Sequence, residues 1–222
     1  MTLIFRRLIL PALVLLSACS DAPTSVVRTD RQPILFIHGF GGSLDDWAPV
    51  LARFKADGWT DRELIAKTYG MSGNASIAAT ISDDVTAALA ATGWDRVTII
   101  SFSMGSLSSR HYIRNLGGTD IVEAWVSISG PNHGTTTAEQ CLPLKACQEM
   151  LPGSPFLEAL NAGDETPGAV RYATWWSPCD QLVNPPESTI LDGANNTETA
   201  CLPHTGMFTE GIYLQVKAFI TS

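Results

Sequence analysis

The chain has 222 residues, with 14 Lys and Arg against 22 Asp and Glu, a formal net charge of -8, and 45% hydrophobic residues. An acidic chain without a basic cluster is a poor partner for nucleic acid and for anionic lipid held by charge alone. The apolar fraction supports one buried core, and the length is short for two.

The first residues read as a targeting segment. Met1 to Arg7 carries two positive charges, Leu8 to Leu16 is apolar and broken by Pro11, and Leu16-Ser17-Ala18-Cys19 is a lipoprotein-type cleavage box. The apolar run is too short to remain as a transmembrane helix. Residues 1–18 are therefore expected to be a signal peptide, with Cys19 lipidated after its removal. Residues 19–32, polar and containing Pro23, read as a tether, and 33–222 as a single α/β domain. The remaining 204 residues, having lost Arg6 and Arg7, carry a formal charge of -10, so membrane attachment would come from acyl chains. The pattern is that of bacterial lipoproteins, and Ser20 where an aspartate often marks inner-membrane retention implies the outer membrane, facing the periplasm or the cell surface.

Strand-like runs at 33–38, 62–68, 96–101, 121–128 and 169–176 alternate with helical patterns, the signature of a parallel sheet covered on both faces. The first run ends in His38-Gly39-Phe40-Gly41-Gly42, a turn able to present backbone N–H groups to an oxyanion. Trp47, Val50, Leu51 and Phe54 then fall on one helical face, as do Ile77, Ile81, Val85, Ala88 and Leu89 before Gly93. The β-branched run Val97-Thr98-Ile99-Ile100 leads into Ser101-Phe102-Ser103-Met104-Gly105. That context places Ser103 on a tight strand-to-helix turn with its hydroxyl exposed, the position of a nucleophile. Residues 130–167, rich in Gly and Pro, cannot be one regular element and form either a flap beside the site or a surface excursion. Asp180 follows the last strand-like run, residues 184–196 form a loop, and His204 precedes a final helix marked by Phe208, Ile212, Val216 and Phe219.

The order serine, acid, histidine is that of α/β-hydrolases. His38-Gly39-Phe40-Gly41, Ser103-Met104-Gly105, Gly130-Pro131-Asn132-His133-Gly134-Thr135, Ser177-Pro178-Cys179-Asp180 and His204-Thr205-Gly206 together give the chain, from Pro33 to Ile220, a likeness to a family. It resembles the minimal α/β-hydrolase lipases of bacteria, with little or no lid. Its departures from that pattern are Ser101 for a Gly or Ala and Phe102 for the common histidine. The resemblance implies a mostly parallel sheet with helices on both faces, and hydrolysis of apolar acyl esters. Ser103 would attack, His204 would move the proton, Asp180 would orient the imidazole, and the Phe40 and Met104 N–H groups would form the oxyanion hole. No metal or organic cofactor is called for, and a monomer is expected.

Five cysteines in an exported chain leave one over, which lipidation of Cys19 accounts for. The other four can pair in three ways. Proximity favours Cys141 with Cys147, leaving Cys179 with Cys201, and their spacings do not match a zinc pattern.

The remaining histidines read as structural: His38 as a hydrogen-bonder within its loop, His133 as a turn residue out of order for the triad, His111 as a helix residue. Asp164 and Asp192 are rival acids, each in a Gly-rich turn where Asp favours local bonding. A non-catalytic surface lipoprotein using the fold as a binding module is the alternative of another class, and an acyltransferase or polyester hydrolase would share every residue named.

Overall fold

Six short segments, most of them branched or aromatic, pair side by side in a computed structural model that describes residues 26–222. The strands are β1 (Ile34–Ile37), β2 (Leu64–Ala66), β3 (Val97–Phe102), β4 (Val122–Ile128), β5 (Arg171–Trp176) and β6 (Asn195–Glu198). They form one sheet in the order β2-β1-β3-β4-β5-β6, with every neighbouring pair parallel. The expected signal peptide and Cys19 lie outside the described residues.

The period of two decides which core each side chain enters. Leu35, Ile37 and Ile99 point to one face, where they meet α2 (Asn74–Thr92) and α3 (Gly105–Asn115) through Ile77, Ile81, Val85 and Leu107. Ile34, Phe36, Ile100 and Phe102 point to the other, against α1 (Ala48–Ala56) and α6 (Glu210–Thr221) through Val50, Phe54, Ile212 and Val216. Burial on both faces is why these strands read as nearly continuous apolar runs. The helix boundaries follow from capping. Ser43 and Asp46 form a capping box on the turn that leads into α1, and Gly93, at φ +73°, closes α2 as its N–H donates to Leu89 O.

Two stretches differ from the sequence expectation. The loop read over 184–196 ends in β6, whose Asn195-Asn196-Thr197-Glu198 is polar because it is an exposed edge strand with no apolar face to advertise. Residues 26–32, read as part of a tether, lie instead against the body. The Thr29 N–H donates to Thr92 O at 2.9 Å, the Arg28 guanidinium sits 3.5 Å from the centre of the Trp94 ring, and Arg31 bonds the carbonyls of Asp57 and Gly58. The irregular stretch 130–167 contains a 3-10 turn at Thr136–Cys141 and the short helices α4 (Lys145–Met150) and α5 (Pro155–Asn161). No helix among the described residues is long and apolar enough to cross a membrane.

Candidate active site

The loops that leave β1, β3, β5 and β6 at their carboxyl ends carry Phe40, Ser103, Asp180 and His204. This edge of an open parallel sheet is where ligands bind in doubly wound folds. Ser103 has φ +52°, and Ser129 at the end of β4 has φ +49°; these are the non-glycine residues with positive φ among those described. Such a conformation costs on the order of 1–3 kcal/mol and persists only when neighbours enforce it. At Ser103 they do: its N–H donates to Ile128 O at 2.9 Å, and its carbonyl accepts from Ser106 N–H at 3.0 Å. A Cβ on Gly105 would come within 2.5 Å of Ile37 O and 2.6 Å of His38 O, so glycine is required where α3 begins. A Cβ on Gly39 would meet Ser103 Cβ at 2.9 Å. Ser101, by contrast, fits at the start of the elbow because its hydroxyl lies 2.7 Å from Val126 O and 3.2 Å from Ser106 Oγ in a buried serine cluster.

His38 is the hydrogen-bonding residue its position implied. Its Nε2 accepts from Tyr69 N–H at 2.8 Å, so Nδ1 carries the proton and donates to Gly39 O at 2.7 Å. In a trans peptide the carbonyl and the following N–H point in opposite directions. Fixing Gly39 O toward His38 therefore turns the Phe40 N–H away from it. Neither the Phe40 nor the Met104 N–H donates a backbone hydrogen bond to another described residue. Behind His38, the Tyr69 hydroxyl donates to Asp84 Oδ2 at 2.9 Å, and Lys67 pairs with Asp84 Oδ1. Burial and the Asp84 charge push the Tyr69 phenol far up, keeping it a donor. Nothing in the sequence marked Tyr69 or Asp84, since the contacts join segments 15 and 31 residues apart.

Asp180 and His204 are both buried, with His204 Nδ1 and Asp180 Oδ2 at 2.7 Å. Asp180 Oδ1 accepts from the N–H groups of Leu182 and Val183, each at 2.9 Å. Burial alone would raise this carboxyl; the bond and charge of His204 and the two backbone donors outweigh it and hold it below the usual carboxylate range. Phe102, where a histidine is common, packs its ring 4.7 Å from that of His204 and 4.9 Å from that of Phe208. The rival acids lie elsewhere: Asp164 Oδ1 accepts from Thr166 N–H, and Asp192 lines a separate groove with His133. His133 Nε2 meets Glu165 Oε1 at 2.7 Å, and His111 stacks on Phe156.

Phe40, Ser103, His204 and Phe208 share one cavity of about 540 Å³ with Leu182 and Val183. Thr135, Ala138, Cys141 and Met150 line it too, so the 130–167 stretch supplies one of its walls. Thr135 Oγ1 bonds Leu182 O at 2.8 Å and accepts from Asn184 N–H at 2.9 Å, tying that wall to the loop that carries Asp180. Both expected disulfides are present, Cys141–Cys147 in the wall and Cys179–Cys201 between the segments leading to Asp180 and His204.

A parallel sheet with a serine on a strand-to-helix elbow, and a bonded carboxylate and imidazole arriving from later strands, defines a serine hydrolase of the α/β-hydrolase fold. The chain belongs to the class 2 lipase family, whose model matches residues 31–201. By that membership it is a serine ester hydrolase. Among solved structures, the mature form of the Bacillus licheniformis lipase BlEst2 superposes with a TM-score of 0.73 at 14% identity, over 90% of this chain and 96% of that one. Aspergillus fumigatus lipase B gives a TM-score of 0.69 at 15% identity, over 86% of this chain and 52% of that larger one. At such identities the likeness speaks to the fold.

Proposed function

We propose that the protein cleaves apolar acyl esters through an acyl-enzyme on Ser103. The observation that carries this reading is the buried His204–Asp180 pair opening on the same cavity as the serine of the strained elbow. The Ser103 hydroxyl does not ionise alone, so His204 Nε2 takes its proton as Oγ attacks the ester carbonyl. His204 then gives that proton to the leaving alcohol, water repeats the sequence to release the acid, and Asp180 stabilises the imidazolium without taking the proton. The oxyanion is met by the Phe40 and Met104 N–H groups, one such donor contributing about 3–4 kcal/mol to the transition state.

Ser103→Ala should abolish p-nitrophenyl ester hydrolysis and fluorophosphonate labelling while leaving the circular dichroism spectrum unchanged. Retained labelling in that variant would assign the nucleophile elsewhere. Asp180→Asn and His204→Ala should each lose several orders of magnitude in kcat, and Asp192→Asn none.

The mature protein, on this reading, begins at lipidated Cys19 and sits in a bacterial envelope. Labelled palmitate should enter the wild type and not Cys19→Ser.

A further inference from the structure

The residues that lead in from Cys19 and the residues that do the chemistry stand at opposite ends of the sheet. Helices of a parallel α/β fold run against the strands, so their carboxyl ends lie at the strands' amino edge. There the chain enters. Thr29 bonds Thr92 at the end of α2, Arg31 bonds Asp57 and Gly58 just past α1, and a Cβ on Gly93 would lie 3.4 Å from Val26 O. Phe40, Ser103, Asp180 and His204 all follow the carboxyl ends of their strands. The six residues of β3 alone separate the two edges by about 20 Å.

The free length is short. Val26 to Arg31 are held on the body, which leaves seven residue steps from Cys19 to Val26, at most about 25 Å fully extended. A domain of the described size has a diameter of about 42 Å, so passing round it from one edge to the other needs about 65 Å. A tether that cannot span two sites gives an effective concentration near zero.

Apolar side chains are exposed at both ends, with Val26 and Val27, the latter 77% exposed, at the entry. Arg28, Asp30, Asp61 and Arg62 line a groove beside the point of entry. At the cavity end, Leu182 is 47% exposed and lines the cavity, and Met71, 57% exposed, has its sulfur 4.0 Å from where a Gly41 Cβ would stand. Leu142 and Leu144, inside the Cys141–Cys147 staple, are exposed as well.

Resting on the reading of Cys19 as the anchor and Ser103 as the nucleophile, we infer that the cavity faces away from the bilayer holding the protein and takes its apolar ester from the facing side, not from the anchoring leaflet. The test uses the full chain expressed with labelled palmitate and reconstituted outward-facing in vesicles. A fluorogenic ester lipid is placed either in the same bilayer or in a second vesicle population, with same-bilayer rates extrapolated to vesicle dilution. Insertion of about forty Gly and Ser residues after Ser20, reaching about 140 Å fully extended, should raise same-bilayer hydrolysis by about tenfold or more and leave the facing-vesicle rate unchanged. A labelled wild type that already hydrolyses lipid of its own bilayer as fast as the extended form overturns the inference and leaves the anchor standing. An unlabelled protein overturns the anchor and the orientation together. A labelled protein inactive on a soluble ester overturns the catalytic reading.

Discussion

At the scale of single residues, the candidate site is held by groups outside the lining of its cavity. On the proposed mechanism, His38 sets the direction of the Phe40 N–H by holding Gly39 O, so His38→Phe should lower kcat by up to about several hundredfold, the loss of one oxyanion donor, with KM little changed and the fold intact by circular dichroism. Gly105→Ala drives a methyl into two carbonyls of the β1 exit and should destabilise by about 1–3 kcal/mol, read as a lower urea midpoint. Glu63 gives a pH test. Burial raises its pKa, but the Thr60 N–H and hydroxyl, the Arg31 N–H and the Arg31 charge lower it further, so the folded value lies below the unfolded one. A depressed carboxylate stabilises fully above its unfolded pKa and loses that stability as pH falls through the folded value. Glu63→Gln should therefore be less stable than wild type at pH 7, with the gap closing below about pH 4.

Elements carry what single positions cannot. Cys179–Cys201 closes a loop of 22 residues' separation and joins the two segments that bring Asp180 and His204 together. Replacing both cysteines by Ser should lower the melting temperature, with about 3 kcal/mol lost in the chain-entropy model, and should lower turnover as well, because misplacement of about 1 Å at a reacting centre can cost roughly a hundredfold. The Cys141/Cys147 double substitution should act on the cavity wall, raising hydrogen exchange over 136–150 before it lowers global stability. The elements also divide by how legible they were. β1, β3, β4 and β5 were readable because burial on both faces demands runs rich in branched or aromatic residues, and Gly93 announced the end of α2. β6 was not, because a polar edge strand has no periodicity and is defined by its pairing with β5. The entry segment 26–32 failed for the same reason: its polar composition suits a tether, while its contacts with Thr92, Trp94 and Gly58 come from residues far along the chain.

For the molecule as a whole, residue order carried most of the candidate site, since strand sequence along a parallel sheet fixes which loops share an edge. Ser103 and Asp180 were nameable in advance because each follows a strand-like run ending at that edge, and His204 because it stands third in the order serine, acid, histidine, whereas the backing chain of Tyr69, Asp84 and Lys67 depends on packing between segments that carry no motif. Among the described residues, the sheet ends in two edge strands. On one, β2 is three residues long; on the other, β6 is Asn-Asn-Thr-Glu and largely exposed. Short and polar edges resist pairing with the edge of another copy. Many copies crowded side by side at high local concentration would thus stay separate rather than zip into a continuous ribbon. Asn195→Val with Thr197→Val should remove that safeguard, and light scattering should then rise with protein concentration where the wild type stays flat.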